Sequence, residues 1–344
     1  MKKRELKYLI AYVIPLIGFA GLHYKEALSF GVTVFAFVLI PLIESFVPGT
    51  DSNLSEKEEV SAKDNFYFDL LLYLHLPLLY GMLFYYFHIL QTTVLQTYET
   101  VGLTLSMGVI VGSFGINIAH ELGHRSTSYE QLFAKLLLLP AMYMHFNIEH
   151  NRGHHKHVAT PKDPSSARKG ESLYAFWFRS VIGVYVGAWQ LEASRLQREG
   201  KSVLSFSNEM IWFQIAQVAY LVVVGFFFGW DIVPFAIAIA VTGFLLLETV
   251  NYIEHYGLSR KQLKSGRYET VLPKHSWNAN HELGRIVLYE LTRHSDHHFK
   301  ADRKYQILRH LEESPQLPYG YPTSMLIAMV PPVWFNLMDK RLPV

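Results

Sequence analysis

Six stretches of this chain are about as long and apolar as a bilayer crossing requires, and no other feature restricts its fold as much. They fall at about residues 6–24, 27–47, 66–90, 100–119, 210–229 and 232–250, each near the roughly 20 residues a helix needs to cross the hydrocarbon layer. Backbone in lipid must satisfy its own hydrogen bonds, so single spans of this length are helices. The expectation is an all-α integral membrane protein with six transmembrane helices. A chain that is 50% hydrophobic and only 17% charged agrees with that class. Two further stretches, about residues 131–146 and 172–193, are shorter or carry charge (Lys135, Arg179), and could either cross or lie at the interface.

Orientation decides between those choices. Lys2, Lys3 and Arg4 place the N-terminus in the cytoplasm by the positive-inside tendency, with a retained first helix rather than a signal peptide. The return leg of the third and fourth spans then brings His120 and His124 to the cytoplasmic face. Were residues 131–146 to cross, the histidines after residue 149 would emerge on the opposite side. If neither doubtful stretch crosses, the sixth span delivers Asn251 and His255 to the same face as all the other histidine clusters. The chain is therefore expected to form one membrane-embedded domain, residues 1–344, with a cytoplasmic or interfacial histidine-rich cap at about residues 120–209 and 251–344.

A net charge of +2, with no Lys/Arg-rich run, gives no reason to expect nucleic acid as a partner. The absence of cysteine excludes disulfides, cysteine-held zinc, iron–sulfur clusters and thiolate-ligated haem. Any metal must sit on nitrogen and oxygen, and electrons for redox chemistry must come from another protein.

The histidines are concentrated in four places. His120-x-x-x-His124 puts two imidazoles one helical turn apart. Within EHNRGHHKHVATPKDPSSAR (149–168), His150 and His154 form a second helical pair. His155 points about 100° away, so adjacent rings can serve different metals. His294, His297 and His298 repeat the doublet arrangement, and His255 stands at the end of the last span. Zinc in a catalytic site needs only three protein ligands, and nine histidines are a surplus that argues for two metals. Glu121, Glu149, Glu254, Asp163 and Asp296 flank these rings, and metal-bound histidine commonly donates its other N–H to a carboxylate. Orientation of the ligands is their expected role, with direct ligation left open; for Asp163 the plain alternative is a helix-cap or turn residue beside Pro164. His157 is a further residue that could support the ligands. His23, His75, His88, His145 and His310 lack ligand spacing and read as packing or interfacial residues, and in His281-Glu-Leu-Gly-Arg285 an arginine stands where a second ligand would be.

HELGHR (120–125), the 149–168 stretch, NYIEHYGL (251–258), SWNANH with LTRHSDHHFKADRKYQILR (276–309) and LPYGYP (317–322) together resemble the integral-membrane alkane monooxygenases. These belong to the histidine-rich diiron membrane family that includes fatty-acid desaturases and xylene monooxygenase. The similarity runs from about residue 41 to 339, and Glu254 favours the alkane over the xylene branch. The resemblance implies six transmembrane helices under a cytoplasmic catalytic cap in the bacterial inner membrane. It implies two irons held by His120, His124, His150, His154, His155, His255, His294, His297 and His298. It also implies terminal hydroxylation of n-alkanes with O2, using electrons passed from NADH through rubredoxin reductase to a separate rubredoxin. Lys156, Lys162, Arg168, Lys169, Lys300, Arg303 and Lys304 could form the rubredoxin docking surface, or simply be positive-inside charge.

Terminal C–H bonds are stronger than internal ones, so selectivity would have to come from an apolar tunnel that holds the chain end-on. A fatty-acid ω-hydroxylase or desaturase shares ligands and oxidant and differs in product. An intramembrane zinc protease would use HELGH with Glu121 as base, but it leaves the other histidines idle.

Overall fold

The protein is described by a computed structural model covering residues 3–343. Lys2 and the side chains of Lys3 and Arg4, on which the expected orientation rests, lie outside the described residues. Six helices are long and apolar enough to cross a membrane: Lys7–Tyr24, Glu26–Phe46, Phe66–Thr92, Thr97–Gly123, Glu209–Phe228 and Val233–His255. The fourth and sixth run several residues past their apolar stretches, so these spans themselves carry His120 and His255. The two ambiguous stretches do not join them. One is an 11-residue helix, Ser128–Leu138, too short to cross. The other is a 26-residue helix, Leu173–Arg198, whose later turns carry Glu192, Arg195 and Arg198 and are not apolar enough. Among the described residues there is no β-strand, only two isolated bridges.

The chain divides into two compact units. The first comprises Met1–Leu39, Phe66–Asn147 and Trp189–Leu247. Its central element is the fourth span, with 78% of its most apolar stretch buried against 22–44% for the other five. Close approach to the sixth span is made possible by small residues, since helices in lipid associate through packing rather than through water exclusion. A Cβ on Gly108 would overlap the Thr242 side chain, and one on Gly112 would sit 3.3 Å from the Gly243 carbonyl oxygen. His75 is sandwiched between Tyr12 and Phe114, with ring centroids 4.7 and 4.6 Å away. Burial of His145 pushes its imidazole down to about 4, so it is neutral there. Both fit the packing role expected of them.

The second unit comprises Ile40–Asn65, Ile148–Ala188 and Glu248–Val344. It is built from short helices and loops, so polar side chains hold much of it. Buried Arg293 donates to the carbonyls of Leu308 (2.7 Å) and Ser52 (2.8 Å). Tyr289 and Glu290 both adopt left-handed backbone, at φ 51° and 59°. That conformation is costly for side chains of this size, and Arg285 secures it by pairing with Glu290 at 2.7 Å. Asn278 ties two segments together: its side chain accepts from the Ser295 amide at 2.8 Å, and its carbonyl accepts from the Leu317 amide at 2.7 Å. The SWNANH motif thereby fixes the start of the helix His294–Phe299 against the chain entering LPYGYP.

Candidate metal centre

In the first unit the fourth span ends in HELGHR. The helix closes at Gly123 with His124 as its cap residue, and the His120 and His124 rings meet edge-to-face at 5.1 Å. A helix end leaves carbonyls without partners; here the Gln131 side-chain amide donates to those of Gly123 and Arg125, both at 2.7 Å. Arg125 pairs with Glu121 at 2.6 Å and with Asp69, near the start of the third span, at 3.4 Å. The carboxylate of Glu121 is thus engaged by the motif's own arginine, which fixes the end of the span that carries both histidines.

In the second unit seven histidines form two groups. The ligand nitrogens of His154, His255, His294 and His298 all lie within 4.8 Å of one another, as do those of His150, His155 and His297. In the first group the Nε2 atoms face inward: His154 to His298 is 3.2 Å, His298 to His294 is 2.9 Å, and His294 to His255 is 3.2 Å. In the second, Nε2 of His155 lies 3.0 Å from that of His150 and 3.2 Å from that of His297.

The division of labour differs from the α-helical reading in one respect. His150–His154 is a π-helical turn, whose hydrogen bonds span five residues rather than four. His150 is therefore matched with His155, and His154 is turned to the other group. Adjacent rings do separate into two groups, as expected, but the partner of His150 is five residues on. In His294–Phe299 the expected spacing holds, since His294 and His298, four apart, share one group.

Asp163 is fully buried and uses both oxygens. Oδ2 lies 2.9 Å from His154 Nδ1 and accepts from the Ser166 hydroxyl at 2.5 Å, while Oδ1 accepts from the Ser165 amide at 3.0 Å. It is both the turn residue and the imidazole's partner. Burial raises the Asp163 carboxyl, but His154 and the Ser166 hydroxyl outweigh it and hold the group below the usual carboxylate range. An ionised Asp163 keeps the proton on His154 Nδ1 and turns the Nε2 lone pair inward. Burial and the neighbouring rings push His298 well below the normal histidine range, leaving it neutral, the form that binds metal.

The remaining carboxylates have distinct partners. Burial raises Glu149 well above the ordinary range, with the charges of Asp163 and Glu248 adding to it. Asp296 pairs with Arg303 and Arg309, each at 3.2 Å, and so anchors the chain that follows the last histidines. Glu254 places Oε2 3.2 Å from His294 Nε2 and accepts from the Tyr321 hydroxyl at 2.7 Å on Oε1. His157 belongs to neither group, and His281 caps the helix Glu282–Val287. Tyr321 and Ser166 make contacts to these carboxylates that spacing did not reveal. Both lie inside motifs already singled out, but a tyrosine 67 residues from its partner leaves no local signal.

Several imidazole nitrogens converging on one buried point favour a cation between them. Imidazole donors suit zinc, copper, nickel and iron, so the donor set fits iron among these.

A family model described as fatty acid desaturase matches residues 96–326. The chain is 42% identical to alkane 1-monooxygenase 2 of Pseudomonas aeruginosa, over 93% of this chain and 86% of that protein. It is 37% identical to the alkane 1-monooxygenase of Acinetobacter baylyi, over 99% and 85%. It is 27% identical to the xylene/toluene monooxygenase hydroxylase component of Pseudomonas putida, over 97% and 88%. A histidine-lined membrane protein with these relatives belongs to the alkane 1-monooxygenase family, within the wider fatty acid desaturase group.

Proposed function

We propose that this protein hydroxylates the terminal methyl group of n-alkanes to give 1-alkanols, using O2 at a pair of irons and electrons delivered by rubredoxin from NADH. The observation that carries the reading is the sorting of seven histidines into two inward-facing groups in a chain whose relatives are alkane 1-monooxygenases. His154, His255, His294 and His298 would hold one iron. His150, His155 and His297 would contribute to holding the other, and His120 and His124 are the two further ligands that the resemblance implies. When bound, the irons supply activation of O2 for removal of a hydrogen atom from the substrate.

The protein's own residues do the rest. Asp163 keeps His154 in the tautomer that presents Nε2. The apolar spans take the alkane from the lipid and exclude water from the reacting end. Sidedness follows the same reading: the site and both termini face the cytoplasm of the bacterial inner membrane, and the whole chain works as one oxygenase domain.

Electron donor docking is supported by the exposure of Lys156, Lys162, Arg168, Lys169 and Lys300. Arg168 and Lys169 border a cavity of about 320 Å³ that Asp163 also lines, next to His154. Arg303 is turned inward between Asp296 and Glu59, and belongs to the scaffold rather than to this surface.

The test is elemental analysis of detergent-purified wild type beside His154→Ala and His297→Ala, followed by product analysis with n-alkanes, rubredoxin, its reductase and NADH. Roughly two irons per chain, diminished in both variants, with 1-alkanol as product is the expected result. The desaturase match favours a second outcome within the same class, in which alkene or ω-hydroxy acid is formed from a fatty acyl substrate. A single zinc indifferent to His297→Ala would instead point to the HELGH protease chemistry.

A further inference from the structure

From the contact between LPYGYP and the sixth span we infer that Tyr321 is a positioning residue for the metal site, holding Glu254 so that one carboxylate oxygen serves as a donor beside the imidazoles of His255, His294 and His298. The inference rests on the metal-binding reading above and assigns a role to a motif that the histidine pattern left unexplained.

Three observations support it. Glu254 lies immediately before His255 in the last turn of its helix, so its backbone is fixed wherever the ligand is fixed. Its Oε2 lies 3.2 Å from Nε2 of His294, the same nitrogen that faces His255 and His298 at 3.2 and 2.9 Å, so the carboxylate shares the inward side of the group. Glu254 is 1% exposed, and among the described residues its side-chain partners are the Tyr321 hydroxyl and the His294 ring, neither of them a lysine or arginine. A buried carboxylate needs a cation or several donors, and a metal held by the neighbouring rings supplies that charge. Neutral imidazoles alone would leave a divalent ion uncompensated.

Tyr321 decides which oxygen turns inward. The glutamate side chain has free torsions, and the 2.7 Å bond from the Tyr321 hydroxyl to Oε1 selects one arrangement. The tyrosine is itself fixed, because it opens the helix Tyr321–Ala328 directly after Gly320, where a Cβ would overlap the Glu44 carboxylate.

The test is competition for iron(II) between a chromogenic chelator and the detergent-purified protein under anaerobic conditions, for wild type, Tyr321→Phe, Glu254→Gln and the double variant. Thermal unfolding of the metal-free forms confirms that each is folded. The expected result is a 10–100-fold loss of iron affinity in each single variant, the range for residues that orient metal ligands, and a double variant little worse than Glu254→Gln because Tyr321 acts through Glu254. Wild-type affinity in Tyr321→Phe, or losses that multiply in full, would overturn the role. If Tyr321→Phe does not fold, Glu254→Gln decides: unchanged affinity removes the carboxylate donor and the role of Tyr321 with it. A wild-type protein that binds no iron overturns the metal reading itself, and is seen before any variant is compared.

Discussion

At the residue scale, a buried carboxylate holds one of the clustered imidazoles, His154, from behind. Asp163 serves two structures at once, with Oδ1 closing a turn and Oδ2 lying 2.9 Å from His154 Nδ1. Asp163→Asn keeps the size and one acceptor but removes the charge that fixes the imidazole tautomer. We expect iron affinity to fall about 10–100-fold with the fold retained, measured as iron kept after dialysis against a chelator. Retention equal to wild type would show that His154 is oriented by packing alone. Eight of the nine ligand candidates stood out because imidazoles at spacings of one, three and four residues have few other reasons to recur, and His255 because it ends the last span. Tyr321 was not, because its contact with Glu254 depends on a long-range approach that no local pattern encodes. Asp296 flanks His297 in the sequence, but the fold turns it toward Arg303 and Arg309.

At the scale of elements, the spans were the most legible part of the chain, since a bilayer imposes length and apolarity that a sequence displays directly. Their ends were less so: apolarity stops near Ala119 and Val250, while helical hydrogen bonding continues into the polar histidine motifs. The fourth and sixth spans cross with Gly108 packed directly against Thr242. Gly108→Leu would force a side chain into Thr242, and overpacking of this kind costs about 1–3 kcal/mol. The expected outcome is a lower unfolding temperature in detergent. Gly81→Leu, where an added Cβ meets nothing within 4 Å, provides the comparison and should change stability far less.

At the scale of the whole molecule, a net charge of only +2 conceals its distribution. Asp163, Glu254 and Asp296 are buried beside the histidines, while Lys156, Lys162, Arg168, Lys169 and Lys300 are exposed in the same unit. If these cations guide an acidic electron donor, Arg168→Glu with Lys169→Glu should lower kcat/KM for the donor at low ionic strength. The deficit should shrink as salt screens the encounter. Stopped assays at varied rubredoxin and salt would show this, and a deficit independent of salt would place the effect elsewhere. The cations could be listed from the sequence but not sorted, because only the fold shows that Arg303 faces Asp296 and Glu59 and that Lys304 is half-buried, while Lys300 is exposed.

The π turn at His150–His154 sets how the histidines are counted out between the two groups. In an unbroken α-helix His150 and His154 would lie on one face and compete for one centre. With one more residue in the hydrogen-bonded ring, that pair is split and His155 takes the vacated place. The two-centre character of this stretch therefore depends on register as well as on composition. A chain with every histidine intact but one residue deleted between His150 and His154 would keep its ligands and lose their allocation.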